Sequence, residues 1–327
     1  MARAPVLAAG LIDERAWMNA VHLDPRQHPW RDDLAAAYLR PLFEDGTLGE
    51  VAAPLRFASP YRAHARQAAI MTASPAGDAA TSELLEGEAF DVFEDDGLYA
   101  WGQSCADGYV GYVASQALTT DAPATTHWVG LRASHVYPAP DLKRTPLRPL
   151  DMLAQVAVTG YQDNWAQLAS GGWVPSGHLL PLGQARPNIL ATAVQFLGAP
   201  YRWGGRSGRG LDCSALIQLA LCAAGIPAPR DSDQQQRSLG IKADYRRRGD
   251  LLFFQEKDTT DHVAFVIDED TVLHATAFSM SVCYEPLRSV CARARMCDHR
   301  RLLLAPRCDF IENNSIENIP PIARDSS

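Results

Sequence analysis

The alternation of apolar and polar residues changes twice along the chain. From Phe57, short alternating stretches are separated by Gly, Asp and Pro, as in AAIMTAS, AFDVFED, LYAWGQS and GYVGYVAS. This spacing is typical of a small β-barrel or sandwich. A second segment, from His127 to Gly183, has the same alternation, and its GGWVPSGHLLPL matches the pattern of DGYVGYVASQAL in the first. We therefore predict two related small β units.

The pattern becomes helical after Pro187. NILATAVQFLG predicts a helix that begins at an N-cap, Asn188, and ends at Gly198. The apolar run from Asp212 to Ala224 predicts a second helix, and GDLLFFQ, HVAFVID and TVLHATA predict strands. Because the helices come first and the strands after them, we predict an α+β domain in this part of the chain.

These changes divide the chain into five predicted parts. They are an N-terminal extension over 1–56, a first β unit over 57–121, a second over 122–184, the α+β domain over 187–308 and a tail over 309–327. Within the extension, we expect a short helix from about Asp32. The tail is polar and contains Pro320 and Pro321, so we expect it to be disordered or loosely docked.

Composition narrows the classes of function. The chain has 327 residues and a formal net charge of −8, which argues against a nucleic-acid partner, since such a partner needs a basic face. No apolar stretch is long enough to cross a bilayer, and the N-terminal stretch does not have the pattern of a signal peptide. The seven cysteines are odd in number and loosely spaced, which favours a reducing compartment, so we expect a cytoplasmic protein. We expect no obligate protein partner, no metal and no cofactor, because the cysteines between Cys283 and Cys308 fit no zinc spacing.

A glycine-rich turn, WGGRSGRG, leads directly to Cys213 at the start of the second predicted helix. The first turn of a helix has unpaired N–H groups, and its dipole favours negative charge, so a thiol there is expected to have a lowered pKa. A cysteine in an apolar helix is more often only a small hydrophobic residue, as we expect for Cys222. The position of Cys213 favours a nucleophile instead.

Two histidines lie on neighbouring predicted strands. His262 opens HVAFVI and His274 lies within VLHATA, and the short connection fits an antiparallel pair. His262 would then take the thiol proton of Cys213, and His274 would bond the far ring nitrogen of His262 and fix its tautomer. Each residue alone is weak evidence, but the combination is difficult to explain by packing.

Here the sequence resembles a known family. The segments PYRWGGRSGRGLDCSALIQLALCAAG, RGDLLFF, DHVAFVID and LHATA are similar to the NlpC/P60 cysteine peptidases of bacterial cell-wall peptides, over about 187–305. The resemblance implies a papain-like α+β catalytic domain preceded by two small SH3-like β-barrels. It further implies hydrolysis of the γ-D-Glu–diamino acid bond in small, free murein peptides with an N-terminal L-Ala, in peptide recycling. Both diaminopimelate and lysine fit this expectation.

The resemblance also implies roles for individual residues. Cys213 would be the nucleophile, His262 the base and His274 the orienting third residue. The implied substrate contacts are Asp212 and Ser214 beside the nucleophile, and Ser232, Tyr201 and Tyr109. Tyr109 would reach the groove from the first β unit, in GYVGY. The family's acidic residue for the substrate amine aligns with Thr81 here, and the candidate substitute is Glu83, two residues later.

Two other kinds of function remain as alternatives. The β units could anchor a catalytically silent peptidase fold on the cell wall, although the intact Cys213, His262 and His274 argue against silence. The same Cys–His pair could also act as an amidase or acyltransferase on another amide. The retained substrate-contact positions favour the peptide substrate.

Overall fold

The computed structural model describes residues 23–48, 51–255 and 259–302. The predicted tail, 309–327, and the first 22 residues of the predicted extension lie outside the described residues. Within the described residues, no helix has both the length and the apolar character needed to cross a membrane.

The first β unit is built on one antiparallel sheet of seven strands. The strands are Tyr61–Ala65 (β4), Ala69–Thr72 (β5), Ala80–Leu84 (β6), Ala89–Asp95 (β7), Tyr99–Ser104 (β8), Val110–Ala114 (β9) and Leu118–Thr119 (β10). Their order in the sheet is β10-β4-β7-β8-β9-β5-β6. Alternate residues enter its core, where Phe90 and Val92 pack with Met71. By the same alternation Phe93 lies on the opposite side of the sheet, where a second layer covers it.

That second layer is the N-terminal segment. It contains Trp30–Arg31 (β1), Leu34–Ala36 (β2), a short helix, Arg40–Glu44 (α1), and Arg56–Ala58 (β3). Leu34 and Leu39 pack on Phe93 and Trp101 of the first β unit. The helix was predicted to begin near Asp32, and this start is wrong because residues 34–36 pair with β1 and β3 instead.

The second β unit has three small sheets around its own core. The strands are His127–Val129 (β11), Ala133–Val136 (β12), Arg148–Asp151 (β13), Gln155–Val156 (β14), Val158–Gln162 (β15), Trp165–Leu168 (β16), Trp173–Pro175 (β17) and Leu179–Pro181 (β18). They form the sheets β14-β11-β18, β12-β13 and β15-β16-β17. Val129, Val136, Leu150 and Val174 meet in the core. A second β unit was expected here, and the strands agree with that expectation.

The C-terminal domain packs helices on a six-stranded sheet of order β21-β26-β22-β23-β24-β25. Its helices are Ile189–Val194 (α2), Cys213–Ala223 (α3), Ser232–Ser238 (α4) and Leu287–Cys291 (α5). Its strands are Arg206–Ser207 (β19) and Gly210–Leu211 (β20), which form a separate hairpin, then Ile241–Lys242 (β21), Leu251–Gln255 (β22), His262–Val266 (β23), Thr271–Thr276 (β24), Ser281–Pro286 (β25) and Arg295–Arg301 (β26). The three predicted strands are therefore present, and helices precede them, as the α+β prediction requires.

Local signals set the helix positions in this domain. The side chain of Asn188 accepts a hydrogen bond from the N–H of Ala191 at 2.9 Å, which confirms it as the N-cap of α2. Helix α3 is buried on nearly all sides, between α2 and the sheet, which explains its continuous apolar sequence. Leu216 and Leu219 pack there with Phe253 and Phe265.

Candidate active site

A tight turn and an N-cap place Cys213 at the first position of α3. Gly204 has a φ of +72°, and its amide donates to Asp212 Oδ2 at 3.0 Å. The other carboxylate oxygen of Asp212 accepts from the N–H of Ala215 at 2.9 Å, so Asp212 caps the helix. The predicted delivery of the cysteine to a helix start is confirmed.

The thiol of Cys213 is buried rather than open to water. Cys213 is only 6% exposed. Its Sγ lies 3.9 Å from the carbonyl oxygen of Asp261, the residue before His262. Burial raises the pKa of the Cys213 thiol to about 12, and the charge of Asp212 adds to the rise. The sequence predicts the opposite direction from the helix N-terminus alone. Burial outweighs that effect here.

The two histidines meet across neighbouring antiparallel strands, as predicted. His262 Nε2 lies 2.7 Å from His274 Nδ1, and the rings meet at 66° with centroids 4.9 Å apart. Burial lowers the pKa of His262 to about 3, and the nearby His274 adds to this decrease. Burial also lowers the pKa of His274, although Glu285 opposes it. Both rings are therefore neutral at neutral pH.

Beyond His274 lies a carboxylate that the sequence analysis did not single out. Glu285 Oε2 is 3.0 Å from His274 Nε2. Arg293 holds both oxygens of Glu285, at 2.7 and 2.8 Å. Although burial raises it, the hydrogen bonds from Arg293 and the neighbouring His274 bring the pKa of Glu285 below its usual value. The sequence did offer one signal for Glu285, which is its place on the strand directly after the one that carries His274.

The residues that flank the nucleophile are held by a buried arginine. Arg230 donates to the two oxygens of Asp212 at 2.9 and 2.6 Å, and to Ser214 Oγ at 3.0 Å. Ser214 in turn donates to Asp212 at 3.1 Å. Asp212 therefore has a structural role as cap and counter-ion, and the predicted substrate contacts of Asp212 and Ser214 stay predictions.

Tyr109 reaches the C-terminal domain from the first β unit. Its hydroxyl donates to Asp231 Oδ2 at 3.2 Å, across the interface between the two units. Burial raises the pKa of Tyr109, and the charge of Asp231 adds to the rise, so the phenol stays protonated. Asp231 caps α4, directly before Ser232, whose hydroxyl donates to the carbonyl of Thr260 at 3.3 Å.

Asp231 also binds a cation from the N-terminal segment. Arg26 donates to Asp231 at 2.9 Å and to Asp233 at 2.9 and 3.0 Å. Neither Asp231 nor Arg26 was singled out in the sequence. Asp231 could have been noticed as the neighbour of Ser232. The sequence contains no signal that Arg26 contacts it across some 200 positions.

Tyr201 and Glu83 take up different positions. Tyr201 is half-buried beside the core of the C-terminal domain, where its N–H donates to the carbonyl of Met280 at 2.9 Å. The nearby thiol of Cys213 adds to the burial that raises the pKa of Tyr201. Glu83 is buried, accepts from the N–H of Arg206 at 2.9 Å and forms an ion pair with Arg202. Its carboxylate thus has partners within the protein.

Comparisons with known proteins agree with this geometry. Residues 198–301 match the model of the NlpC/P60 family, and residues 71–118 match the bacterial dipeptidyl-peptidase SH3 domain. The dipeptidyl-peptidase 6 of Lysinibacillus sphaericus is 30% identical over 223 residues, which cover 59% of this chain and 79% of that protein. The chain belongs to the NlpC/P60 family.

Two further relatives of this NlpC/P60 protein are named gamma-D-glutamyl-L-lysine dipeptidyl-peptidase. The one from Bacillus subtilis is 28% identical over 59% of this chain and 69% of its own length. The one from Bacillus cereus is 32% identical over 45% of this chain, and the chain covers only 45% of that relative's length. The crystal structure of an NlpC/P60 family protein from Bacillus cereus superposes with a TM-score of 0.64 at 21% identity, over 75% of this chain and all of that one, which shows a shared fold. The predicted catalytic fold with an SH3-like domain before it is confirmed.

Proposed function

We propose that the protein is a cysteine endopeptidase that cuts the γ-D-Glu–diamino acid bond of free murein peptides with an N-terminal L-Ala. The observation that carries the proposal is the meeting of three features. Cys213 begins a buried helix, the His262–His274 pair follows directly after Asp261 beside the thiol, and Tyr109 contributes a hydroxyl from the first β unit. The name of two relatives, gamma-D-glutamyl-L-lysine dipeptidyl-peptidase, supports the same class of substrate.

The reaction follows from the ring nitrogens. His262 Nε2 is engaged by His274, so Nδ1 is the nitrogen left to take the proton from the Cys213 thiol. The sulfur then attacks the γ-carbonyl carbon of D-Glu, and the N–H of Cys213 at the helix start donates to the developing oxyanion. The C–N bond breaks as His262 returns the proton to the leaving amine. Water, deprotonated by His262, then hydrolyses the thioester and releases L-Ala-γ-D-Glu.

Cys213 and His262 are both neutral in the free protein, and this determines when the proton passes between them. Burial disfavours both the thiolate of Cys213 and the imidazolium of His262. The proton therefore passes during attack on the bound peptide, with His262 as general base, rather than in the free protein.

The free amine of L-Ala would bind at Asp231. This carboxylate is partly buried, lies next to Ser232 and accepts from Tyr109. Arg26 also binds this carboxylate, so the ammonium would share Asp231 with that side chain. Carboxylates outnumber arginines around this site, which leaves negative charge for an ammonium. The carboxylates are Asp24, Asp212, Asp231 and Asp233, and the arginines are Arg26, Arg230 and Arg237. Glu83, the earlier candidate, is only 2% exposed and pairs with Arg202, whereas the side chain of Asp231 is 23% exposed and so more accessible to a substrate.

A closed amine end would restrict the substrate to short free peptides, since crosslinked wall presents no free L-Ala amine. We place the reaction in the cytoplasm, in the recycling of murein peptides. The six cysteines within the described residues are all free, which supports a reducing compartment.

The test compares L-Ala-γ-D-Glu-meso-diaminopimelate with its N-acetylated form, and with the lysine peptide, by mass spectrometry. We expect L-Ala-D-Glu only from the free peptides, and none from Cys213→Ala. Asp231→Asn should weaken the preference for the free amine, whereas Glu83→Gln should retain it. Equal cleavage of free and acetylated peptides would contradict the closed amine end. Cleavage of neither would favour another amide substrate or a binding role.

A further inference from the structure

His262, His274 and Glu285 lie on three consecutive strands of one sheet. The register of β23 and β24 pairs Phe265 with Leu273, and its continuation places His274 two residues from the partner of His262. The next ladder pairs His274 with Cys283, so Glu285 is again two residues away. Each step is thus a diagonal neighbour on the same face, within reach of long side chains. The two contacts are 2.7 and 3.0 Å long.

The hydrogen-bonding capacity of these groups fixes the position of each proton. Arg293 binds both oxygens of Glu285 and keeps it ionised, and an ionised carboxylate only accepts. The hydrogen between Glu285 and His274 must therefore be on His274 Nε2. A neutral imidazole has one N–H, so His274 Nδ1 is an acceptor and takes the hydrogen of His262 Nε2. His262 Nδ1 then carries a lone pair.

We propose that Glu285 is a positioning residue whose carboxylate fixes the tautomers of both histidines, so that His262 Nδ1 can accept the thiol proton. Without the carboxylate, His274 can hold its proton on Nδ1 and donate to His262 Nε2. His262 would then carry its hydrogen on Nδ1, directed at the thiol, and could not act as a base. The assignment of the thiol to Cys213 rests on the proposed function, but the tautomers do not depend on any substrate.

Arg293 and Cys283 lie beside the chain of hydrogen bonds from His262 to Glu285. Arg293 follows α5 and faces Glu285, while Cys283 on β25 lies opposite His274. Burial lowers the pKa of His262 most, and the nearby His274 and Arg293 add to the decrease. Arg293 therefore opposes protonation of the rings while it holds Glu285 in place, so the carboxylate is the group that sets the direction of the hydrogen bonds.

The test reads the ring nitrogens by ¹⁵N NMR in the full-length protein near pH 8, with signals assigned from His262→Gln and His274→Gln. In the unsubstituted protein, we expect hydrogen on Nε2 and a bare Nδ1 in both rings. In Glu285→Met, we expect both rings to show mixed tautomers. Alkylation of Cys213 by iodoacetamide should slow by about tenfold or more, as for loss of an orienting partner. Glu285→Gln should recover most of the rate, because its amide oxygen can still accept from His274.

A matched control lies on the same sheet. His299 Nε2 is 2.8 Å from Asp250 Oδ2, which is the same kind of histidine–carboxylate pair without contact to His262. Asp250→Asn should leave the tautomers and the alkylation rate unchanged. Retention of both wild-type tautomers in Glu285→Met, with alkylation unchanged, would overturn the proposal. If Glu285→Met does not fold, the same spectrum is recorded for Glu285→Ser. Flipped tautomers in that variant would support the proposal, and wild-type tautomers would overturn it. Because these readouts use no peptide, a failure of the proposed peptidase activity would remain distinguishable.

Discussion

Arg206 and Glu88 form a buried two-point ion pair between the C-terminal domain and the first β unit. The guanidinium nitrogens lie 3.0 and 3.2 Å from the two carboxylate oxygens, and the side chains are 2% and 4% exposed. Arg206 Nε also donates to Gln218 on α3 at 2.7 Å, and Gln218 donates to Asp107 of the β unit at 2.9 Å. The helix that begins with Cys213 is thereby fixed relative to Tyr109.

Glu88→Gln should destabilise the protein strongly. The substitution leaves the buried charge of Arg206 without its counter-ion, and breaking a buried pair from one side typically costs roughly 3–5 kcal/mol. Urea unfolding followed by tryptophan fluorescence measures the loss.

The exposed pair Arg40–Glu44 is the control for this experiment. Glu44 is 62% exposed, so Glu44→Gln should change the free energy of unfolding by less than about 1 kcal/mol. Similar effects of Glu88→Gln and Glu44→Gln would show that the buried pair does not hold the two units together.

Gly204→Ala should disturb the turn that delivers the nucleophile. Gly204 has a φ of +72°, and an added Cβ would lie 2.8 Å from backbone atoms of Ala80 in the first β unit. The left-handed conformation alone costs about 1 kcal/mol with a side chain. The backbone contact adds to this, so we expect a loss of about 2–4 kcal/mol. We also expect lower kcat/KM, because the Gly204 amide binds Asp212.

Gly46→Ala separates these two effects. Gly46 has nearly the same φ, +73°, but no atom lies within 4 Å of its added Cβ. It should lose only the conformational part, about 1 kcal/mol, with unchanged kcat/KM. Equal losses for the two variants would contradict the role of the close approach to Ala80.

The features predictable from sequence are those with local causes. Asn188 could be identified as a cap because its partner is three residues away, and Cys213 because the glycine turn precedes it directly. The histidine pair could be predicted because the two residues lie on neighbouring strands joined by a short connection. Arg26 could not be predicted in this way, because the fold brings it to Asp231 from some 200 positions away. Glu285 was overlooked, although it lies on the strand directly after that of His274. The raised thiol pKa depends on burial, which local spacing does not reveal.

The Asp250 carboxylate should contribute a pH-dependent part of the stability. Although burial opposes it, hydrogen bonds from Arg301 and His299 lower the pKa of Asp250 in the folded protein. The folded state therefore binds this proton less readily than the unfolded state, where the pKa is about 3.9. The stabilisation is fully present above that value and is lost as the pH falls through the lower folded pKa.

Comparison of the native protein with Asp250→Asn measures this contribution. At pH 7 the variant should be less stable by roughly 1.5–3 kcal/mol, the usual value for hydrogen bonds to a charged group. The difference should shrink as the pH is lowered below about 4. Asp244→Asn, at an exposed position six residues earlier, should show little effect at either pH. A difference that stays constant with pH would contradict the linkage.

Tyr109→Phe tests whether the first β unit contributes to amine recognition. The hydroxyl donates to Asp231, so its oxygen retains a lone pair that a substrate ammonium can use. Loss of this oxygen should raise KM for the free peptide by about tenfold, equivalent to about 1.4 kcal/mol, with little change in kcat. The N-acetylated peptide, which has no ammonium, should stay uncleaved by this variant as by the native protein. Tyr112→Phe is the matched control, since its hydroxyl binds Arg31 at 2.6 Å, away from Asp231. An equal rise in KM for both variants would mean that the β unit supports the groove only by packing, and that the amine is recognised elsewhere.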